Sequence, residues 1–294
     1  MTGKLILAGT PIGNLGDISE RFAQTLAQTD FIAAEDTRVT LKLLNHLGLK
    51  KPLISYFEHN KRDHGETILR RMEAGECCVL VSDAGMPAIS DPGEDLVASC
   101  AERGIPVSVV PGPCAAISAL SISGLPTGRF CFEGFLSVNR KSRREHLESV
   151  VDEPRTLIFY EAPHKLRATL RDLYAALGDR RVSLVRELTK IHEEVIRTTL
   201  SQAAAFYREN TARGEFVLVV EGKPREESGP SAAVKGDTQT VGPEAGGMEE
   251  ALAKVDAYMA AGAPRTAAVK RAAKETGVDR AALYKESAGN TAER

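Results

Sequence analysis

The sequence predicts an α/β fold: two successive α/β domains, at 1–124 and 125–222, followed by a small helical module at 248–294. Three observations predict it. Short apolar runs alternate with stretches of helical period from residue 4 to residue 222, joined by short connections. The alternation breaks once, near 122–128 in ISGLPTGR, and then resumes. Residues 223–247 are rich in Gly, Pro, Ser and charge and lack periodicity, so they read as a flexible linker, after which a helical pattern returns. A chain of 294 residues also exceeds what one core usually serves.

In order, KLILA (4–8) is the first strand. Ile18, Phe22 and Leu26 recur at helical spacing within 17–28, with Asp17 and Glu20 as a capping pair. FIAAED (31–36) is a strand, 40–47 a helix closed by Gly48, LISY (53–56) a strand, and 65–74 a helix closed by Gly75. CCVLVS (77–82) is a strand, 93–103 a helix ending at Gly104, PVSVVP (106–111) a strand and 113–123 a helix. This alternation implies a largely parallel sheet covered by helices. A second alternating set has strands at 130–135, 156–162, 182–188 and 216–222, and helices near 142–150, 164–177 and 199–209. In the tail, 248–261 is helical, and GAPRTAAVKRAAKETGVDRAALYKE reads as helix, Gly277 turn, helix. That spacing fits a helix-turn-helix, with Leu283 and Tyr284 packing its small core.

A formal net charge of −2 leaves no global field to draw the chain to nucleic acid, so basic surface has to be local. Two clusters qualify. NRKSRREH (139–146) gathers Arg140, Lys141, Arg143 and Arg144. Residues 262–285 hold six basic and two acidic side chains, Arg265, Lys270 and Arg271 among the basic ones. Both suit phosphates; 139–146 also reads as a solvated loop, and the tail as a solvated helical hairpin or a dimer contact. The start MTGKLILAG leads straight into a loop, so no signal peptide is expected, and no apolar run is long enough for a bilayer. Cysteines 77, 78, 100, 114 and 131 are odd in number and lack CxxC spacing, which reads as buried free thiols in a reducing cytoplasm.

In an open α/β sheet, ligands sit beyond the carboxyl ends of the strands. Four such ends carry unusual loops: GTPIGNLGD (9–17), AEDTR (34–38), SDAGMPAISDPG (82–93) and VPGPCAA (110–116). None is a GxxxxGK[ST] phosphate loop or a GxGxxG fingerprint, and no zinc or Ser-His-Asp arrangement is evident. Each alone reads as a tight connection. Four together argue for one ligand-binding edge.

GTPIGNLGDIS, AEDTR, SDAGMPAISDPG, VPGPCAAISAL, SGLPTGRFCFEGF, FYEAPHKL and VRELTKIHEE occur here in that order. With these motifs the chain resembles the bacterial 16S ribosomal RNA (cytidine-2′-O)-methyltransferases of type I, in the tetrapyrrole methylase superfamily of class III methyltransferases. The likeness covers about residues 4–222 and extends to the helix-turn-helix tail. It implies two α/β domains with S-adenosylmethionine in the cleft between them, a homodimer, and a cytidine of the decoding region of the 30S subunit as substrate. Small-molecule methylation of a tetrapyrrole is the alternative within the superfamily, and a non-catalytic RNA-binding factor is a third class.

The resemblance assigns walls of the cofactor site. One is Thr10, Pro11, Ile12 and Gly13. Another is Ser82, Asp83, Ala84, Gly85 and Ile89, with Asp83 offering an acceptor to the ribose or the amino group. The third is Pro113, Cys114 and Ala115 at a helix N-terminus, with Tyr160 beside it. Cys114 stands where serine is usual and Phe57 where histidine is common, which removes a hydroxyl contact and a histidine role at those places. A ribose hydroxyl is a poor nucleophile, so a nearby base or cation should aid its deprotonation. The polar motif residues are Glu35, Asp36, Arg38, Glu58, His59, Asn60, Glu161, His164, Lys165, Glu187 and Lys190. Glu187 and Lys190 are favoured as a proton-handling or hydroxyl-orienting pair, His164 joins them as a catalytic candidate, and Arg38 is suited to a phosphate.

Overall fold

The structure is a computed structural model that describes residues 3–91, 93–224 and 245–289. These form two compact units, Met1–Glu226 and Glu227–Arg294. The first unit begins with five parallel strands: β1 (Leu5–Ala8), β2 (Phe31–Ala34), β3 (Leu53–Ser55), β4 (Cys78–Val81) and β5 (Val107–Val110), ordered β3-β2-β4-β1-β5. Alternate residues of each strand feed opposite faces. Leu5, Phe31, Ala33, Cys78 and Leu80 meet Leu96 and Cys100 of α4 (Gly93–Glu102) and Ile68 and Met72 of α3 (Lys61–Glu73). Ile6, Ala8, Ile32, Ala34, Val79 and Val81 meet Phe22 and Leu26 of α1 (Glu20–Gln28) and Leu44 of α2 (Thr37–His46).

Several helix starts differ from the sequence reading, α3 beginning at Lys61 rather than 65, and two of the differences have a clear capping cause. The Asp17–Glu20 capping pair is not formed: Asp17 ends a short 3-10 turn, and Ser19 caps α1 by accepting from Phe22 N at 3.1 Å. Helix α2 begins three residues early because Asp36 caps it, accepting from Arg38 N at 2.8 Å.

The second five-stranded sheet comprises β6 (Phe130–Phe135), β7 (Thr156–Glu161), β8 (Arg181–Arg186), β9 (Glu194–Thr199) and β10 (Phe216–Val220), ordered β6-β7-β10-β8-β9. Only β6 and β7 are parallel; the other pairings are antiparallel. Strand β9, EVIRTT, was absent from the sequence reading; its polar residues suit an edge position. One face of this sheet is covered by α7 (Pro163–Leu177) and α8 (Leu200–Glu209), with α6 (Arg140–Ser149) adding Leu147. The other face is covered by α5 (Ala115–Ser123): Ala116, Ala119 and Leu120 pack on Ile158, Val185, Val217 and Val219. The last helix of the first βα series therefore roofs the second sheet, and the two halves share it.

The tail unit is three helices, α9 (Ala245–Ala260), α10 (Arg265–Thr276) and α11 (Arg280–Gly289), with Gly277 left-handed between the last two. Leu283 is fully buried with Ala251, Val255 and Val269, whereas Tyr284, expected in the core, is exposed beneath the Arg265 guanidinium. Most of the linker, 225–244, lies outside the described residues. Of the five thiols, Cys78 and Cys100 are buried, and Cys77, Cys114 and Cys131 are half-buried; all are free.

Candidate active site

The connection after β1 leads through α1 across β4 to β2, and the one after β4 leads through α4 across β1 to β5. The two loops diverge at a switch point, where open sheets bind ligands. They are stitched together: Thr10 N donates to Gly85 O at 2.9 Å and Gly85 N to Thr10 O at 3.1 Å, while the buried Thr10 hydroxyl donates to Ser82 O at 3.1 Å. Alongside, Gly9 and Gly112 pass so closely that a Cβ on Gly112 would lie 2.6 Å from Gly9 O. Only glycine fits there. The stretch after β4 also carries two non-glycine residues in left-handed conformation, Ala88 (φ 65) and Ser90 (φ 67). Such residues cost about 1 kcal/mol or more each and gather at functional sites. Asp91 braces them, accepting from Ala88 N and Gly93 N at 2.8 Å.

Above these loops lies a cavity of about 440 Å³. Of the residues assigned to the cofactor, Ile12, Ser82, Asp83, Ala84, Gly85, Ile89, Cys114, Ala115 and Tyr160 line it. Thr10, Pro11, Gly13 and Pro113 do not; Thr10 holds the lining loop in place. The N-terminus of α5 is less open than expected, because Ala116 N donates to the Tyr160 hydroxyl at 3.1 Å. Burial pushes that hydroxyl up to about 12.

The cavity has two walls. Glu35, Asp83 and Asp91 stand on the first-sheet side, and Phe135, Tyr160, Val185 and Val217, with the carboxylates Glu161 and Glu215, on the other. Glu35 Oε2 accepts from Asp83 N at 3.4 Å, and Asp83 Oδ1 accepts from Asp36 N at 3.0 Å. Part of Asp83 is thus spent tying two strand ends together. Burial is the main cause that raises both Glu35 and Asp83 above the usual carboxylate range, and neither is bonded to a cation.

None of the four catalytic candidates lines the cavity. Glu187 and Lys190 do pair: Lys190 Nζ donates to Glu187 Oε1 and to Glu215 Oε2, each at 2.8 Å, and Glu215 is a lining residue. The Lys190 bond is the largest cause holding Glu187 below its usual range. Burial works to lower Lys190, but the two carboxylates outweigh it and raise it. The turn carrying the pair has left-handed Glu187 (φ 50) and Thr189 (φ 66), and Asn14 Nδ2 reaches across to Thr189 O at 3.4 Å. His164 is exposed on α7, next to the lining residue Pro163. Arg38, 86% exposed, is bonded to Asp36 rather than standing free for a phosphate, and its hydrogen bonds hold Asp36 down at about 2.

The basic cluster divides. Arg140, Lys141 and Arg144 are exposed on α6. Arg143 is not part of that surface: its side chain is 15% exposed, with Nε on Asp172 at 2.7 Å and NH2 on the Thr169 hydroxyl at 2.9 Å. In the tail, Lys270 is exposed, Arg271 lies 4.5 Å over the Tyr258 ring, and Arg265 lies 5.5 Å over Tyr284. Among the described residues, no group of three His, Cys, Asp or Glu is placed to hold a metal, and no helix is long and apolar enough to cross a membrane. Sequence reasoning passed over Met86, Asp91, Phe135 and Glu215 as cavity residues. Asp91, Met86 and Phe135 lay within motifs already singled out; Glu215 sits at a strand end with no local signal.

Residues 4–204 match the family of tetrapyrrole (corrin/porphyrin) methylases. The ribosomal RNA small subunit methyltransferase I of Synechocystis sp. is 46% identical over 283 residues, covering 96% of each chain. That of Thermotoga maritima is 47% identical over 221 residues, which are 75% of this chain and 99% of the relative. The uroporphyrin-III C-methyltransferase of Thermus thermophilus, solved in complex with S-adenosyl homocysteine, matches the fold with a TM-score of 0.53 at 18% identity, over 74% of this chain and 97% of that one. A cavity at the switch point of the first sheet and a family match over most of the chain agree: this chain is a methyltransferase that belongs to the tetrapyrrole methylase family, within its small-subunit ribosomal RNA methyltransferase I group.

Proposed function

We propose that the enzyme methylates the ribose 2′-hydroxyl of a cytidine in the decoding region of 16S ribosomal RNA, using S-adenosylmethionine, on the 30S subunit. It acts as a homodimer in the cytoplasm. The observation that carries this is the two-walled cavity at the switch point, which opens at Phe135, five residues before the basic start of α6. The names of the relatives point the same way.

The donor set fits S-adenosylmethionine. Carboxylates of Glu35, Asp83 and Asp91 suit its cationic and hydroxyl groups, while Ile12, Ala84, Ile89, Ala115 and Tyr160 give apolar surface. When bound there, it supplies an electrophilic methyl group, so alignment is what the protein mainly has to provide. The Thr10–Gly85 bridge keeps the lining loop rigid before any ligand arrives. Glu35 and Asp83, kept partly dry, are the proton acceptors on the wall. Glu187 and Glu215 hold the Lys190 ammonium at the cavity edge, as a fixed positive charge that favours an ionising hydroxyl. Lys190 is in this way an orienting cation, with Glu187 as its anchor. Arg140, Lys141 and Arg144, with Arg265, Lys270 and Arg271 of the tail, take RNA phosphates. In this reading 1–124 and 125–222 are domains that share α5, and 223–247 links them to the tail.

The test is transfer of labelled methyl from S-adenosylmethionine to isolated 30S particles, with free 16S RNA and a tetrapyrrole as comparison substrates. Label on a cytidine ribose of the particle is expected. Label on the tetrapyrrole, or on a base, would overturn the reading.

A further inference from the structure

Strand β6 is irregular at its end. Its register against β7 pairs Phe132 with Ile158, then Gly134 with Phe159 and Phe135 with Tyr160, so Glu133 is an extra residue. Successive strand residues face opposite sides, so without it Phe132 and Phe135 would part company. With it, both rings flank Tyr160, at centroid distances of 5.0 and 5.5 Å. The bend is made by Gly134 at φ 61, where a Cβ would meet Ser90 Oγ at 3.4 Å. Bulges of this kind re-aim side chains beside active sites.

The re-aimed ring is left uncovered. Phe135 lines the cavity and is still 56% exposed, while its neighbours Phe132 and Tyr160 are half-buried. Beyond Leu136 the chain rises to the capping residue Asn139 and the exposed Arg140, Lys141 and Arg144. A bare aromatic face followed by clustered cations is the combination that takes a splayed-out nucleotide, base on ring and phosphates on cations. The residues suited to the cofactor belong mainly to the loops after β1 and β4 and to the start of α5, whereas Phe135 ends the strand that runs on into the basic helix.

We propose that Phe135 is the stacking platform for the base of the nucleotide whose ribose is methylated. The assignment rests on the RNA substrate proposed above and adds the residue that holds the base.

The chain has no tryptophan, so Phe135→Trp provides a single reporter inside the site. Stacking predicts that a short single-stranded RNA containing cytidine quenches its fluorescence, and that this variant keeps the parental KM for 30S particles. Phe135→Ala should raise that KM about tenfold, the size of one base–aromatic stack, with kcat within about twofold. Its affinity for S-adenosylmethionine, measured by calorimetry, should equal the parent's. An unchanged KM in Phe135→Ala overturns the proposal, as does a tryptophan that the RNA does not quench. A tenfold loss of S-adenosylmethionine affinity would make the ring a cofactor contact and overturn it too. If the parent methylates no 30S particle, the substrate reading falls and takes this assignment with it; an active parent with an indifferent Phe135→Ala sinks the stacking assignment alone.

Discussion

At the residue scale, the carboxylates around the cavity are sorted by their partners. Asp36 and Glu187 are bonded to cations and held acidic, whereas Glu35 and Asp83 are bonded only to amides and are raised by burial. A folded-state value above the unfolded one means that the protonated form is favoured in the fold. The stability this lends is complete below the unfolded value, 4.5 for Glu35, and is lost as pH rises through the folded value. Glu35→Gln keeps an acceptor for Asp83 N and removes the charge. It should raise the melting temperature at pH 7 by about 1–2 °C and give no gain at pH 4. An equal gain at both pH values would show that the buried charge is not the source. Arg143 carries the opposite lesson, because one of four clustered cations is structural. Arg143→Ala should cost about 2 kcal/mol in urea unfolding, since it strips Asp172 and Thr169 of a charged donor. Neutralising Arg140, Lys141 and Arg144 should leave unfolding alone and flatten the salt dependence of RNA binding.

At the element scale, the site depends on backbone approaches that side chains do not mediate. The Gly9–Gly112 contact joins the ends of β1 and β5, and the obstacle to a Cβ is backbone that cannot swing aside. Gly112→Ala should therefore destabilise by about 3 kcal/mol and weaken cofactor binding together, as urea unfolding and calorimetry would show. Near-parental values for both would mean that the loops yield more readily than their stitching implies. The loop motifs were legible because Gly, Pro and Asp cluster there for local reasons. Strand β9 was not, since an edge strand with Glu194, Arg197 and two threonines lacks the apolar run that marks a central one. The bulge in β6 was equally silent: one extra residue leaves no compositional trace, yet it decides which way Phe135 faces.

At the scale of the whole molecule, the chain is a catalytic unit with a separate helical one. The matched Thermotoga relative spans 221 residues of this chain, close to the size of Met1–Glu226 alone. Lys223 still hydrogen-bonds Glu153, so a truncation should follow Glu226 rather than cut into that contact. Ending the chain there should leave folding and cofactor affinity near normal and raise KM for 30S particles with less effect on kcat, the pattern left by losing a binding contribution shared by ground and transition states. Loss of folding or of cofactor binding would make the tail structural. The sequence by itself determined most of the strand and helix alternation, the loops that line the cavity and the family, because these rest on local periodicity, turn chemistry and ordered motifs. It did not determine that α5 would roof the second sheet, that the Glu187–Lys190 pair would meet the cavity only through Glu215, that Arg143 would turn inward, or that Phe135 would turn toward the cavity. Each of those depends on which distant strand or helix arrives alongside, and that is settled only when the two sheets pack around their shared helix.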